Sequence, residues 1–267
     1  MADETQTTSF LLSREELTLL LDLLEATSIT GLDSDPLGEL NDDQRALAFI
    51  WAGRALRARE LATVGDDGSL LVNEQLLTAV STSVYWTTAI NVYHWSAPGQ
   101  TPMRFFSYAG NGQVATHTRP EDVLHRLSVL PSSEALVEAI TAVSQCQAIP
   151  EAPFVEYELS RNLFVQAREL AEAQDGEAAQ KILLQDGIPL ETAQAITAVL
   201  SGKPRMSIWQ LVSRVENEDA ITHEYTLLQQ DQAAWLISLS PEENKLHIQN
   251  VSTVALQELL NQHLKIS

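Results

Sequence analysis

Polar caps followed by apolar residues at helical spacing open the chain. In SFLLSREELTLLLDLL, Ser13 and Glu16 have the spacing of a capping box, with Leu12 and Leu17 placed as a hydrophobic staple. Leucines at 17, 20, 21 and 24 then form one stripe, which predicts a helix from Arg14 to about Glu25. Asn41 and Gln44 repeat the signal and predict a helix through Arg59, in which Leu47, Ile50, Trp51 and Leu56 sit near helical spacing. GDDGS at 65–69 reads as a turn, and Asn73 caps a third helix, NEQLLTAVST.

From Val84 the period changes to two. In VYWTTAINVYHW both parities are apolar, the mark of a strand that is central or meets a partner on one face. APGQTP at 97–102 breaks it, and strands follow from Met103 to Tyr108 and from Gln113 to Thr116. Asn111-Gly112 between them supplies the positive φ of a tight hairpin turn. A phosphate cradle would need a helix start after the glycines, with a Lys-Ser/Thr pair or a third glycine, and neither follows. Pro120 suits the first turn of a helix, PEDVLHRLSVL, and Ser132 or Ser133 caps another through about Gln145.

AIPEAP at 148–153 is the linker candidate. Beyond it the pattern predicts a short strand, FVEYELS, and helices over 160–174, 177–185 and 190–200. Four strands follow, MSIWQLVSRV, THEYTLLQQ, AAWLISL and KLHIQNV, and Ser252 caps a final helix, VALQELLNQHL. The second half thus rehearses the first. The expected fold class is α+β, with two pseudo-twofold related subdomains, 1–147 and 154–267, each an antiparallel sheet with a helical bundle. The closing units paired in this reading are MRFFSYAGNGQVATHTRPEDVLHRL and AAWLISLSPEENKLHIQNVSTVALQELL.

Charge changes what such a molecule can bind. Sixteen cations against 36 acids give −20, so nucleic acid and anionic membranes are poor partners. The acids avoid residues 76–120, which nevertheless hold seven of the 16 aromatics, including Tyr93 and Trp95. No apolar run is long enough to span a membrane, and the N-terminus lacks the pattern of a signal peptide, which points to a cytoplasmic protein. Candidate chemistry is sparse. The six histidines have no metal-binding spacing and read as exposed or half-buried surface residues, with His117 on a strand and His125 on the following helix. Cys146 reads as a small core residue. Asp33-Ser34-Asp35 and Asp66-Asp67-Gly68 lack the register of a calcium loop, and Glu15-Glu16 serve the helix cap. No metal and no cofactor is expected.

SREELTLLLDLL, NDDQRALAFIWAGRALRARELA, QVATHTRPEDVLHRLSVLP and DQAAWLISLSPEENKLHIQNVSTVALQELL together resemble the EspG-type chaperones associated with type VII (ESX) secretion in actinobacteria. That resemblance implies a pseudo-twofold, cytosolic, cofactor-free and non-catalytic protein that binds a helical secretion substrate and keeps its apolar tip soluble. On this reading the aromatic window, or its counterpart around Trp209, covers the partner. Loops carried by a rigid sheet are favoured for recognition, which singles out Tyr93, Trp95, Pro98 and Gln100. The joint equivalent to APGQTP is NEDAI at 217–221. The alternative is an enzyme or small-molecule-binding protein, with a site at the subdomain interface drawn from residues such as His94, His117, Arg104 and Glu224.

Overall fold

A computed structural model of the protein describes residues 6–32, 37–38, 40–214, 220–242 and 244–264. The Asp33-Ser34-Asp35 fragment and positions 217–219 of NEDAI lie outside them. The chain runs β1 (Thr8–Ser13), α1 (Arg14–Leu23), α2 (Asp42–Ala58), β2 (Ala62–Val64), β3 (Leu70–Val72), α3 (Glu74–Val84), β4 (Thr88–Trp95), β5 (Met103–Gly110), β6 (Gln113–Glu121), β7 (Leu124–Leu130) and α4 (Ser133–Val143). It continues through β8 (Glu156–Ser160), α5 (Arg161–Glu172), α6 (Gly176–Gln185), α7 (Leu190–Ser201), β9 (Arg205–Ser213), β10 (Ile221–Gln230), β11 (Ala233–Leu239), β12 (Lys245–Asn250) and α8 (Thr253–Leu264).

Both capping boxes form. The Ser13 hydroxyl accepts from Glu16 N while a Glu16 carboxylate oxygen accepts from Ser13 N, and Asn41 and Gln44 exchange the same pair of bonds. The buried Glu16 also pairs with Arg59 at 2.8 Å, so its carboxylate serves the cap and one ion pair. Asn111 and Gly112 adopt the positive φ values, 53° and 71°, of the tight turn between β5 and β6.

The strands of both halves join one antiparallel sheet of ten, in the order β1-β7-β6-β5-β4-β9-β10-β11-β12-β8; β2 and β3 form a separate hairpin. β4 lies at the centre, hydrogen-bonded to β5 and β9, which is why neither of its faces is polar. Read outward from the β4–β9 pair, each side is a four-strand meander ending on a strand that precedes its helices. One face of the sheet is covered by α4 and α8 around Trp209, Leu136, Ile140, Leu256 and Leu260. The other carries two helical packs: α1–α3 over β1 and β7, and α5–α7 over β10–β12.

One expectation fails here. The stretch from Pro120 is no helix: β6 continues to Glu121 through an irregularity between Thr118 and Glu121, and LHRLSVL is strand β7. Its alternation is hidden because one inward residue is the polar His125, while Pro120 and the acids after it mimic a helix start. MRFFSYAGNGQVATHTRPEDVLHRL is consequently β5-β6-β7, whereas AAWLISLSPEENKLHIQNVSTVALQELL is β11-β12-α8, so those two stretches are not equivalent. The helix read from Asn41 forms as α2, and it buries only Ala52 and Leu56; Leu47, Ile50 and Trp51 point outward, being 52%, 52% and 59% exposed.

Candidate protein-binding groove

The two helical packs leave the sheet's middle strands without a helical cover on their shared face. Along β9 this shows as alternation between the buried Ser207, Trp209 and Leu211 and the half-buried Met206, Ile208 and Gln210. On the α5 side the gap deepens into a groove of about 970 Å³. Its floor is Met206, Thr226, Leu228 and Ile237; α5 contributes Phe164, Val165 and Arg168, and the end of α7 contributes Leu200 and Lys203. Trp95, Ala97, Pro98 and Gly99 form the opposite lip.

Of the four residues expected at a binding edge, Trp95 and Pro98 line the groove, Trp95 half-buried and Pro98 exposed. Tyr93 stands two residues back on β4, half-buried and edge-on to Phe106 with ring centroids 6.3 Å apart. Gln100 is exposed in the β4–β5 loop, outside the groove lining. Elsewhere in the aromatic window Phe105, Phe106 and Tyr108 are buried, and the suggested counterpart Trp209 is a core residue, fully buried with its indole N–H donating to Ser144 Oγ at 2.9 Å. Phe164, Leu200 and Met206 were not singled out from sequence; they meet only through tertiary packing. The half-polar alternation of MSIWQLVS was the available signal.

The groove's charged side chains stand at its rim without converging. Arg168 pairs with Glu172 one helical turn away at 3.5 Å, and Glu224 accepts from the Gln210 amide at 3.0 Å. The residues named for an enzymatic site do not assemble. Glu224 is at the groove, whereas His94 faces the opposite side of the sheet, buried against Ser207 Oγ at 2.9 Å. Burial, with Arg205 adding, lowers the His94 pKa. His117 lies beneath the α1–α2 connection, and Arg104 is exposed on β5.

His117 and His125 correct the surface reading of the histidines, since both are buried on neighbouring strands. His117 Nδ1–H donates to the Thr30 carbonyl at 3.1 Å, which leaves its Nε2 to accept from His125 Nδ1–H at 2.9 Å. Burial, then the neighbouring His125, takes the His117 pKa down to about 3. Cys146 is buried as expected, and burial pushes its thiol up to about 12. Among the described residues no group of three or more His, Cys, Asp or Glu is placed to hold a metal, and no helix is long and apolar enough to cross a membrane.

Neither a protein-family model nor a curated protein sequence matches the chain. Among solved structures it is similar to the Mycobacterium tuberculosis type VII secretion system chaperone EspG5, determined in complex with the PE25–PPE41 dimer. The TM-score is 0.64 at 12% identity, over 97% of this chain and 96% of that one. At that identity the likeness speaks for architecture alone: this chain has the fold of an EspG-type chaperone.

Proposed function

We propose that the chain is a non-catalytic protein-binding module, a cytosolic chaperone or adaptor whose groove beside Trp95 and Pro98 receives the apolar tip of a helical secretion substrate. Tyr93 and Gln100 belong to the margin of the same edge. Residues 1–147 and 154–267, joined by 148–153, are its two pseudo-twofold related subdomains. The observation that carries the reading is the groove itself: an open trough with an aromatic lip and an apolar floor, on the fold of a chaperone solved with a bound protein dimer.

Trp95 supplies the anchor, since a half-buried indole becomes a hot spot once a partner excludes water from it. The test is titration calorimetry of the chain and its Trp95→Ala variant against a helical dimer of the PE–PPE class and against protein captured on the immobilised chain. A loss of affinity of about thirtyfold, equivalent to about 2 kcal/mol, is expected with the melting temperature nearly unchanged. If the variant melts early while each folded molecule binds as before, Trp95 is a packing residue and the groove is not the site.

A further inference from the structure

The outward face of α2 is a second apolar surface, on the opposite helical pack from the groove. Helix geometry puts Asp43, Ile50 and Arg57, seven residues apart, nearly on one line, with about 20° of drift per heptad. Leu47, Trp51 and Arg54 flank that line, and the Arg54 guanidinium sits 5.2 Å from the centre of the Trp51 ring. All six side chains are exposed. The helix is nonetheless held firmly from behind: Ala52 and Leu56 are buried, and Arg59 bonds Leu11 O at 2.7 Å and the Glu16 carboxylate at 2.8 Å. Large apolar groups on so fixed a support are available to a partner without a cost in reordering the backbone.

The charges say which partner. The acid lies one heptad before Ile50 and the arginine one heptad after it, so the face is complementary to its own image turned by a twofold axis through Ile50. Laid antiparallel on a second copy, Asp43 meets Arg57, Arg57 meets Asp43, and Leu47, Ile50 and Trp51 of both helices share the centre. We propose that α2 is a self-association surface, which pairs two copies of this chain as an antiparallel, isologous helix dimer. The helix is about 25 Å long, which keeps the interface at the small end of specific contacts. A weak dimer with Kd of roughly 10–100 µM is therefore expected.

Sedimentation equilibrium on the full chain, Asp43→Arg, Arg57→Asp and their equimolar mixture decides it. Wild type should dimerise with rising concentration. Each single variant sets like charges against each other at both ends and should self-associate at least tenfold more weakly. The mixture should recover wild-type affinity, because a heterodimer of the two variants pairs opposite charges at both ends. Melting temperatures close to wild type show that the positions, exposed in the monomer, leave the fold intact. The proposal is overturned if wild type stays monomeric through 200 µM, about twice the upper end of the expected Kd range, if either variant dimerises as well as wild type, or if mixing restores nothing. Binding of a foreign acidic helix to α2 while the chain itself remains monomeric also overturns it.

Discussion

Apart from the β2–β3 hairpin of the first, the two halves set a like succession of elements on one sheet, yet one half is covered where the other is open. The difference lies in the connection after the first long helix. Between α1 and α2 residues 24–41 intervene, and part of that stretch folds down onto the sheet: the Thr30 carbonyl accepts from Tyr108 Oη at 2.9 Å and from His117 Nδ1 at 3.1 Å, and Gly31 lies flat against the Phe106 ring. Between α5 and α6 only residues 173–175 intervene, and Met206 and Thr226 remain half-buried on the groove floor. The length of one connection thus decides whether the sheet beneath it is covered or lies at the floor of a groove.

The largest expected effect tests whether the halves are energetically separate. Trp209 belongs to β9 in the second half, but its indole packs in a core that draws on α4 and α8 together and bonds Ser144 of the first. Trp209→Ala should cost about 4 kcal/mol, and urea unfolding followed by circular dichroism should keep one cooperative transition. Two resolved transitions, with only one of them displaced, would show two independent domains beneath a continuous sheet.

Gly31 comes next, because it decides whether the plug over the first half is structural. Its φ is +86°, and a Cβ at that position would run into the Phe106 ring. Phe106 is itself buried, so Gly31→Ala combines a disfavoured backbone with overpacking and should cost about 3 kcal/mol by denaturant titration. A neutral outcome would mean that the plug lifts freely and that the first half can also open.

Acid should loosen the sealed half. His117 has a folded pKa of about 3 against an ordinary value of 6.5, because burial and then His125 disfavour its cation. A histidine depressed in this way gives stability that is complete above the unfolded pKa and is lost as pH falls from 6.5 towards 3, since the unfolded chain binds the proton first. Between pH 7 and pH 5 the loss is about 2 kcal/mol from this group. His94, also depressed, adds to it with the same sign. Chemical denaturation at the two pH values checks this, and His117→Gln should flatten the slope while lowering the plateau, since the bond to Thr30 is weakened.

Why one half was easier to read than the other follows from where the information lies. Caps and turns are local, so Ser13, Asn41, Asn73, Ser132 and the Asn111-Gly112 turn were legible, as were the helices and strands of the second half. Strand β1 was not, because TSFLLS becomes a strand only by pairing with β7, more than a hundred residues away. β7 was misread because the buried His125, bonded to His117 of the neighbouring strand, stands among the apolar residues of its inward face and a proline interrupted its approach. The apolar spacing of α2 was legible but not that Leu47, Ile50 and Trp51 face outward, since periodicity reports that a face exists and not which face is covered. Trp95 and Pro98 could be proposed from their setting, but Phe164, Leu200 and Met206 reach the groove from three other segments, and no spacing in the chain announces that meeting.

The smallest expected effect is the sharpest comparison of the halves. α1 and α5 end in the same way: Ala26 N bonds Leu21 O at 2.9 Å and Glu25 N bonds Asp22 O at 3.0 Å, while Asp175 N bonds Leu170 O at 2.9 Å and Gln174 N bonds Ala171 O at 3.0 Å. This is the Schellman pattern, and in each case the left-handed position is held by a residue with a Cβ, Glu25 at φ 55° and Gln174 at φ 67°. Glycine suits that conformation, so Glu25→Gly should raise stability by about 1 kcal/mol, net of the entropy that glycine adds to the unfolded chain. Gln174→Gly should gain less, because the Gln174 amide donates to the Ser201 carbonyl at 3.2 Å and glycine gives that bond up. Differential scanning calorimetry resolves shifts of this size. Equal gains would mean that the Ser201 bond contributes nothing, and a loss at Glu25 would mean that its side chain holds the plug in place by a contact beyond its backbone.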